Sequence, residues 1–399
     1  MPELGGPSVL TARAGQTRHS GGVALAHPNM KRLARVACLA SGLLCACGDG
    51  GSSDAAARAK PFEPVMVIGQ AGTSPGTFLQ PRSLATDGQW LFVADRSGRI
   101  QKFDAGTGKC VAWWTLPVFQ NGMPTGLTIG PASSGVAAGG LVKAGEPVLY
   151  VADTHYHRVL VYPIGVEKFA TSEGGRGESF TRGSLLMAPS APKCDVPILA
   201  QFGAFGMGPG EFVYPTLVLP LLAPDGVTVE RLYVSEYGDH DRVSVFDGDF
   251  KFLFSFGTPG SGREGSPVHF DRPQAMAFDP DRKALWITDA RNHRVGRFTL
   301  EGALIDWLGG EGGQPGVTFN LPWTIAGLGD GSALIVDRGS SQVRRLMMDT
   351  GATIQTWGRP GRLPGELAEP WSVAATEKVV FVADTSNHRV QVFARPVKR

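Results

Sequence analysis

Short apolar runs separated by polar turns dominate the chain from about residue 61 onward. The clearest unit runs from Phe381 to Phe393. Phe381-Val-Ala is apolar, and Asp384 to His388 carry the short polar side chains that bond their own backbone in turns. Val390 and Val392 then alternate with polar neighbours. This order predicts two antiparallel strands around a tight turn. It recurs as Phe92-Val-Ala-Asp95 with Arg99-Ile100, Tyr150-Val-Ala-Asp153 with His157-Arg158-Val159, and Trp286-Ile-Thr-Asp289 with Asn292-His293-Arg294-Val295. Weaker copies are Tyr233-Val-Ser-Glu236 with Arg242-Val243 and Leu334-Ile-Val-Asp337 with Gln342-Val343, where glutamine stands in the arginine slot.

Six hairpins are therefore expected, and the acidic markers at 289, 337 and 384 are spaced by a number in the forties. That is the period of a propeller blade of four strands. A sheet of this size cannot bury its faces alone, so blades must stack in a ring. A second marker ending in proline precedes most hairpins: Phe78-Leu-Gln-Pro81, Phe212-Val-Tyr-Pro215, Phe270-Asp-Arg-Pro273, Phe319-Asn-Leu-Pro322 and Leu367-Ala-Glu-Pro370, with Met123-Pro124 as a remnant.

The Gly-x-Phe-x-x-Pro, Val-Ala-Asp, Asn-His-Arg-Val order resembles the NHL-repeat family over about residues 61–399. The resemblance implies an all-β, six-bladed β-propeller, in agreement with the count of hairpins. Pro64 to Gly69 match the last strand of a blade, while the final blade, ending at Phe393, lacks one. The N-terminal strand is thus expected to complete the C-terminal blade and leave no open sheet edge.

Composition adds bounds. Gly 54 and Pro 29 in 399 residues suit a fold of turns and short strands, and a net charge of +2 gives no global case for nucleic acid. Residues 1–29 read as a disordered leader or a start assigned too early. From Met30, the basic Lys31, Arg32 and Arg35 precede an apolar stretch, Val36 to Leu44, and then Leu44-Cys45-Ala46-Cys47. This resembles a bacterial lipoprotein signal over 30–46, with Cys47 as the lipidated residue and 47–60 as a Gly/Ser/Ala-rich tether. A plain secretory signal is the alternative. The expected place is the cell envelope, with membrane contact through the lipid alone and the chain a monomer.

Candidate chemistry is sparse. Asp95/Arg99, Asp153/Arg158, Asp289/Arg294 and Asp384/Arg389 recur blade after blade, so a hairpin staple is expected rather than a catalytic pair. His157, His293 and His388 share one repeat slot. His155 would share a strand side with His157, as zinc ligands could, yet the slot places histidines in separate blades; no metal and no cofactor are expected. Six-bladed relatives of the amidating-lyase and lactonase-like types put histidines or carboxylates at the channel mouth. Here the residues after each marker proline are Arg82-Ser83, Thr125-Gly126, Thr216-Leu217, Gln274-Ala275, Trp323-Thr324 and Trp371-Ser372, none of them acidic, His or Cys. Arg82, Trp323 and Trp371 belong to neighbouring blades and are of the types enriched at binding hot spots. The expected function is a binding or scaffold module for a protein or glycan; the alternative is a propeller enzyme with a degenerate channel site. Insertions at 131–147, 163–195 and 221–228 are expected to share the opposite face, mobile and without anchors. Cys110 and Cys194 are each expected just before an outermost strand, as free thiols. Five cysteines, three of them in or beside the signal, leave two, too few for a zinc-binding RING.

Overall fold

The computed structural model describes residues 63–117, 123–171, 191–263, 267–310 and 317–395. The signal, Cys47 and the tether lie outside the described residues. The described chain forms six four-stranded antiparallel sheets, strands a to d, arranged as a six-bladed β-propeller. Blade 1, for example, comprises Pro81–Thr86, Trp90–Asp95, Arg99–Asp104 and Cys110–Thr115. Blade 6 comprises Val373–Ala375, Val379–Asp384 and Arg389–Ala394, with Met66–Ile68 paired antiparallel to 390–392 as its outermost strand.

The apolar runs of the b strands are explained by stacking. A blade is covered on both faces, so both sides of strand b are buried, as at Phe92 and Val93 or Leu334 and Ile335. Apolar side chains gather between each pair of adjacent blades. One cluster joins blades 1 and 2 around Phe92, Trp114 and Tyr162, and another joins blades 6 and 1 around Phe78, Phe103 and Phe381. The phenylalanine of the proline-ended marker covers the glycine that ends the preceding d strand. Gly69, Gly203 and Gly257 have φ of 77°, 86° and 98°, and any Cβ there would meet the ring of Phe78, Phe212 or Phe270.

The innermost strands touch around the whole ring and enclose a channel of about 400 Å3. Hydroxyls stitch them together. The Leu127 N–H donates to Ser83 Oγ (2.8 Å), Thr125 Oγ1 to the Thr216 carbonyl (3.5 Å) and Thr216 Oγ1 to the Pro273 carbonyl (3.0 Å). Thr288 Oγ1 donates to the Trp323 carbonyl (3.2 Å), Thr324 Oγ1 to the Trp371 carbonyl (2.7 Å), and the Leu84 N–H to Ser372 Oγ (3.2 Å). Every blade interface thus carries one such bond, each worth about 1 kcal/mol net. The serines and threonines after the marker prolines line the channel and, with Thr288 in blade 4, hold the ring together.

The insertions differ from expectation. Residues 131–147 carry a short helix, Ser134–Ala137, whose Val136 is buried in the core between blades 2 and 3. Ser134 Oγ donates to Asp249 Oδ1 at 2.6 Å, and the Gly135 N–H to the Gly248 carbonyl, which ties the insertion to blade 3. At 221–228 the a and b strands simply lengthen into a nine-residue hairpin, Tyr214–Leu222 with Val229–Tyr237. Within 163–195, Val166–Phe169 docks on blade 1, where Lys102 Nζ donates to the Ile164 carbonyl at 2.9 Å. Buried valines and paired backbone anchor these segments, a role that aromatic residues are not needed for. Cys110 opens its d strand, whereas Cys194 lies before the d strand Ala200–Phe202, with its backbone N–H bonded to the Trp113 carbonyl. Both thiols are free.

Candidate functional site: the turn-face vestibule

The b–c turns and d–a loops leave by one face of the ring. Each turn carboxylate does two things, except that Asp153 shows only the second among the described residues. It accepts a backbone N–H from the residue two before the marker proline, as Asp289 does from Asp271 (2.7 Å), Glu236 from Val213 (2.7 Å) and Asp384 from Ala368 (2.7 Å). It also pairs with an arginine: Asp95 with Arg99 (2.8 Å), Asp153 with Arg158 (2.8 Å), Glu236 with Arg242 (2.6 Å), Asp289 with Arg294 (2.7 Å) and Asp384 with Arg389 (2.7 Å). Most of these guanidiniums go on to cap carbonyls of the Gly/Pro loop, as Arg294 does at Gly262 and His269. In blade 5, Gln342 does not leave the pair broken. Arg344, two residues along and so on the same strand side, reaches Asp337 at 2.8 Å. Burial pushes the carboxyls of Asp153, Glu236, Asp289 and Asp337 up, Asp289 to about 6, against the pull of their arginines.

The repeated histidines are staples as well. His157, His293 and His388 end their turns with a left-handed backbone, φ of 57°, 54° and 55°. His388 Nδ1 accepts the Gln80 N–H of blade 1 (3.1 Å) and His293 Nδ1 the Leu321 N–H of blade 5 (3.2 Å), each a bond to the next blade. His155 lies in the turn Thr154–Tyr156, not on a strand with His157, so strand alternation does not align the two. Among the described residues, no three His, Cys, Asp or Glu side chains gather as a metal would need.

Inside this ring of staples the turn-face mouth of the channel is different. Arg82, Trp323 and Trp371 do come together, but not as exposed aromatics. The two indoles are 4% and 9% exposed and meet edge to face at 4.9 Å within the core between blades 5 and 6. Guanidiniums cover them. Arg82 lies 4.5 Å from the Trp371 ring, Arg338 5.0 Å from both indoles, and Arg272 4.7 Å from Trp323 and 4.2 Å from Tyr237. Tyr237 meets Tyr214 at 5.1 Å, and Tyr214 meets His155 at 5.5 Å, both pairs tilted. Burial, then the charges of Arg96, Arg272 and Arg338, bring Arg82 down to about 10, with Tyr237 pulling the other way; it stays charged at neutral pH. Burial first, and then Arg82, His157 and Arg272, hold His155 below its ordinary value against the N–H of Met123.

Few carboxylates balance this charge. Arg338 reaches Glu369 at 3.2 Å, and Arg272 Nε bonds the neutral Gln274 Oε1 at 3.1 Å. Asp241 is engaged with the backbone N–H of Arg272. Arg82 has no carboxylate partner among the described residues, and neither its Nε nor those of Arg338 and the two indoles find an acceptor. The sequence pattern alone does not single out Arg272, Arg338 and Tyr237, and it offers His155 only as a possible zinc ligand. Their signal was positional: Arg272 stands just before a marker proline, and Arg338 and Tyr237 just after a turn carboxylate, in slots that break from blade to blade.

The NHL repeat family model matches residues 367–393. Human NHL repeat-containing protein 3 is 30% identical over 146 residues, which span 35% of this chain and 40% of that protein. Chicken NHL repeat-containing protein 2 is 30% identical over 156 residues, 33% of this chain and 21% of that protein. The chain therefore spans less than half the length of these relatives. Among solved structures, a streptogramin B lyase aligns over 83% of this chain and 87% of its own, at 14% identity and a TM-score of 0.46. The virginiamycin B lyase of Staphylococcus aureus aligns over 82% of this chain and all of its own, at 14% identity and a TM-score of 0.46. The chain is thus a six-bladed β-propeller that carries an NHL repeat in its last blade and is similar to NHL repeat-containing proteins over about a third of its length.

Proposed function

We propose that this protein is a binding propeller, exported and held at the cell envelope by a lipid on Cys47, that captures a protein or glycan partner at its turn-face vestibule. The observation that carries the binding site is the convergence of Arg82, Arg272 and Arg338 on Trp323 and Trp371, with Glu369 the one carboxylate ion-paired to them among the described residues. Guanidiniums seated over aromatic rings are pre-organised, so few rotamers are lost when a partner docks. Every blade is built on the same carboxylate–arginine staple, and we read all six as copies of the repeat matched in the last. What departs from the repeat is where a singular function belongs.

The binding site is tested by capture from envelope extract with the full chain, comparing wild type with Arg82→Gln and with Ser134→Ala on the insertion face. Loss of the captured partner in Arg82→Gln alone is the expected result; loss in Ser134→Ala alone moves the site to the other face. The anchor rests on the basic segment, the apolar stretch and the Leu44-Cys45-Ala46-Cys47 order. Cys47→Ser should abolish labelling by a fatty-acid probe, and undiminished label contradicts the anchor.

A further inference from the structure

Four guanidiniums face the mouth of the channel: Arg82, Arg272 and Arg338 over the aromatic rings, and Arg96 at the rim, where Nη1 bonds Gln80 Oε1 at 3.0 Å. Near them stand the carboxylates Glu369 and Asp241, with Asp239 and Asp271 beside Asp241 and Arg291 beside Asp271. The balance is positive, and it is Arg82 that is left without an ion pair among the described residues. The chain as a whole has 38 basic and 36 acidic residues, so this surplus is local, not a general basic surface. A guanidinium lying over a ring commits its face and keeps N–H edges for in-plane bonding, the geometry that suits oxyanions. Arg82, half-buried, has no hydrogen bond or ion pair among the described residues; its Nε, that of Arg338 and both indole N–H groups are shut off from solvent, so the guanidinium edges beyond Nε are the donors a ligand meets. His155 adds one more. Its Nδ1 accepts the Met123 N–H (3.3 Å), so in the neutral ring Nε2 carries the proton and is a donor too. An unpaired guanidinium with three more beside it suits an acceptor-only oxyanion.

We propose that the vestibule is an oxyanion site that takes a phosphate dianion, either free or borne as a phosphate monoester on a sugar. It rests on the vestibule being the binding face and gives that face its chemistry. Arg82 and Arg338 supply the charge-assisted bonds, Arg272 adds long-range attraction, and Trp323 and Trp371 hold the guanidiniums in place.

The test is isothermal titration of the full chain with inorganic phosphate at low ionic strength, with a hexose phosphate and acetate as further arms. Wild type is expected to bind phosphate with a Kd of about 1 mM or tighter, and acetate at least about tenfold more weakly. A hexose phosphate tighter than phosphate assigns the group to a sugar; equal affinity assigns it to free phosphate. Arg82→Gln and Arg338→Gln should each weaken binding about tenfold or more, with melting temperatures showing that both fold. A readout on wild type alone guards against misfolded variants: phosphate should raise the pKa of the His155 imidazole followed by NMR, because the anion offsets the charges of Arg82 and Arg272. No heat and no His155 shift overturn the proposal, as does phosphate binding that survives both substitutions. If phosphate fails while Arg82→Gln still abolishes partner capture, the binding face stands and the oxyanion falls. If capture is intact while phosphate binding is lost, the oxyanion site stands and the capture surface lies elsewhere.

Discussion

The turn face holds two sets of arginines, and they are used in opposite ways. Arg99, Arg158, Arg242, Arg294, Arg344 and Arg389 form an outer ring, one per blade, each with its carboxylate within 2.8 Å. Arg82, Arg272 and Arg338 form an inner group, at three different slots of three blades, and rest on aromatic rings; among the described residues only Arg338 has an ion pair, with the exposed Glu369. Single nitrogens without an acceptor occur in both sets, on Arg99 and Arg344 as well as Arg82 and Arg338. What separates them is the counter-charge. A buried arginine with its carboxylate holds a fold together; one without it keeps its binding capacity for something else. Repetition in this propeller marks structure, and departure from the repeat marks the place for function.

The largest effect should come from breaking an outer pair. Arg294 and Asp289 have side chains 1% and 0% exposed. Asp289→Ala strands a buried cation, and a loss of about 3–5 kcal/mol in urea unfolding is expected. A loss as large for Arg82→Gln would erase the distinction between the two rings; less than about 1 kcal/mol is expected there, since Arg82 has no ion pair to lose. Next comes blade 5. Arg344→Gln should lose about 1–3 kcal/mol, because it leaves the buried Asp337 carboxylate without its ion pair, a role Gln342 does not fill. A larger loss for Gln342→Ala would return the role to the repeat slot.

The smallest effect is on pH. The folded Asp289 carboxyl, pushed up to about 6, sits above its unfolded value of about 4, so the folded state binds the proton more tightly. Stability from this group is therefore full below the unfolded value and is lost as pH rises through 6. Asp289→Asn cannot titrate, so the stability of wild type relative to this variant should grow by on the order of 1 kcal/mol between pH 7 and pH 5. A gap that shrinks would mean that Arg294 outweighs burial.

Much of the fold is legible in the sequence because the repeat writes each constraint several times. The apolar b strands, the turn carboxylates and the proline-ended markers together imply six blades. The site was only half legible. Arg82, Trp323 and Trp371 stand out by residue type and slot, but a tryptophan in a sequence does not disclose whether its face meets solvent or a guanidinium. Both are buried because blades 5 and 6 stack there. Arg272 and Arg338 converge from separate blades, and such proximity exists only once the ring has closed. Val136 gave no signal either, since a lone valine in a glycine-rich insertion reads as loop until blade 3 lies beneath it.

The most direct test measures two quantities on two variants. Arg294→Gln and Arg338→Gln each remove one guanidinium from the same face, and each is followed by melting temperature and by phosphate affinity. The account predicts a double dissociation: Arg294→Gln melts well below wild type and, while folded, binds phosphate as wild type does. Arg338→Gln melts within a few degrees of wild type and loses about tenfold or more in affinity. Both variants losing stability alike, or both keeping affinity, would contradict it.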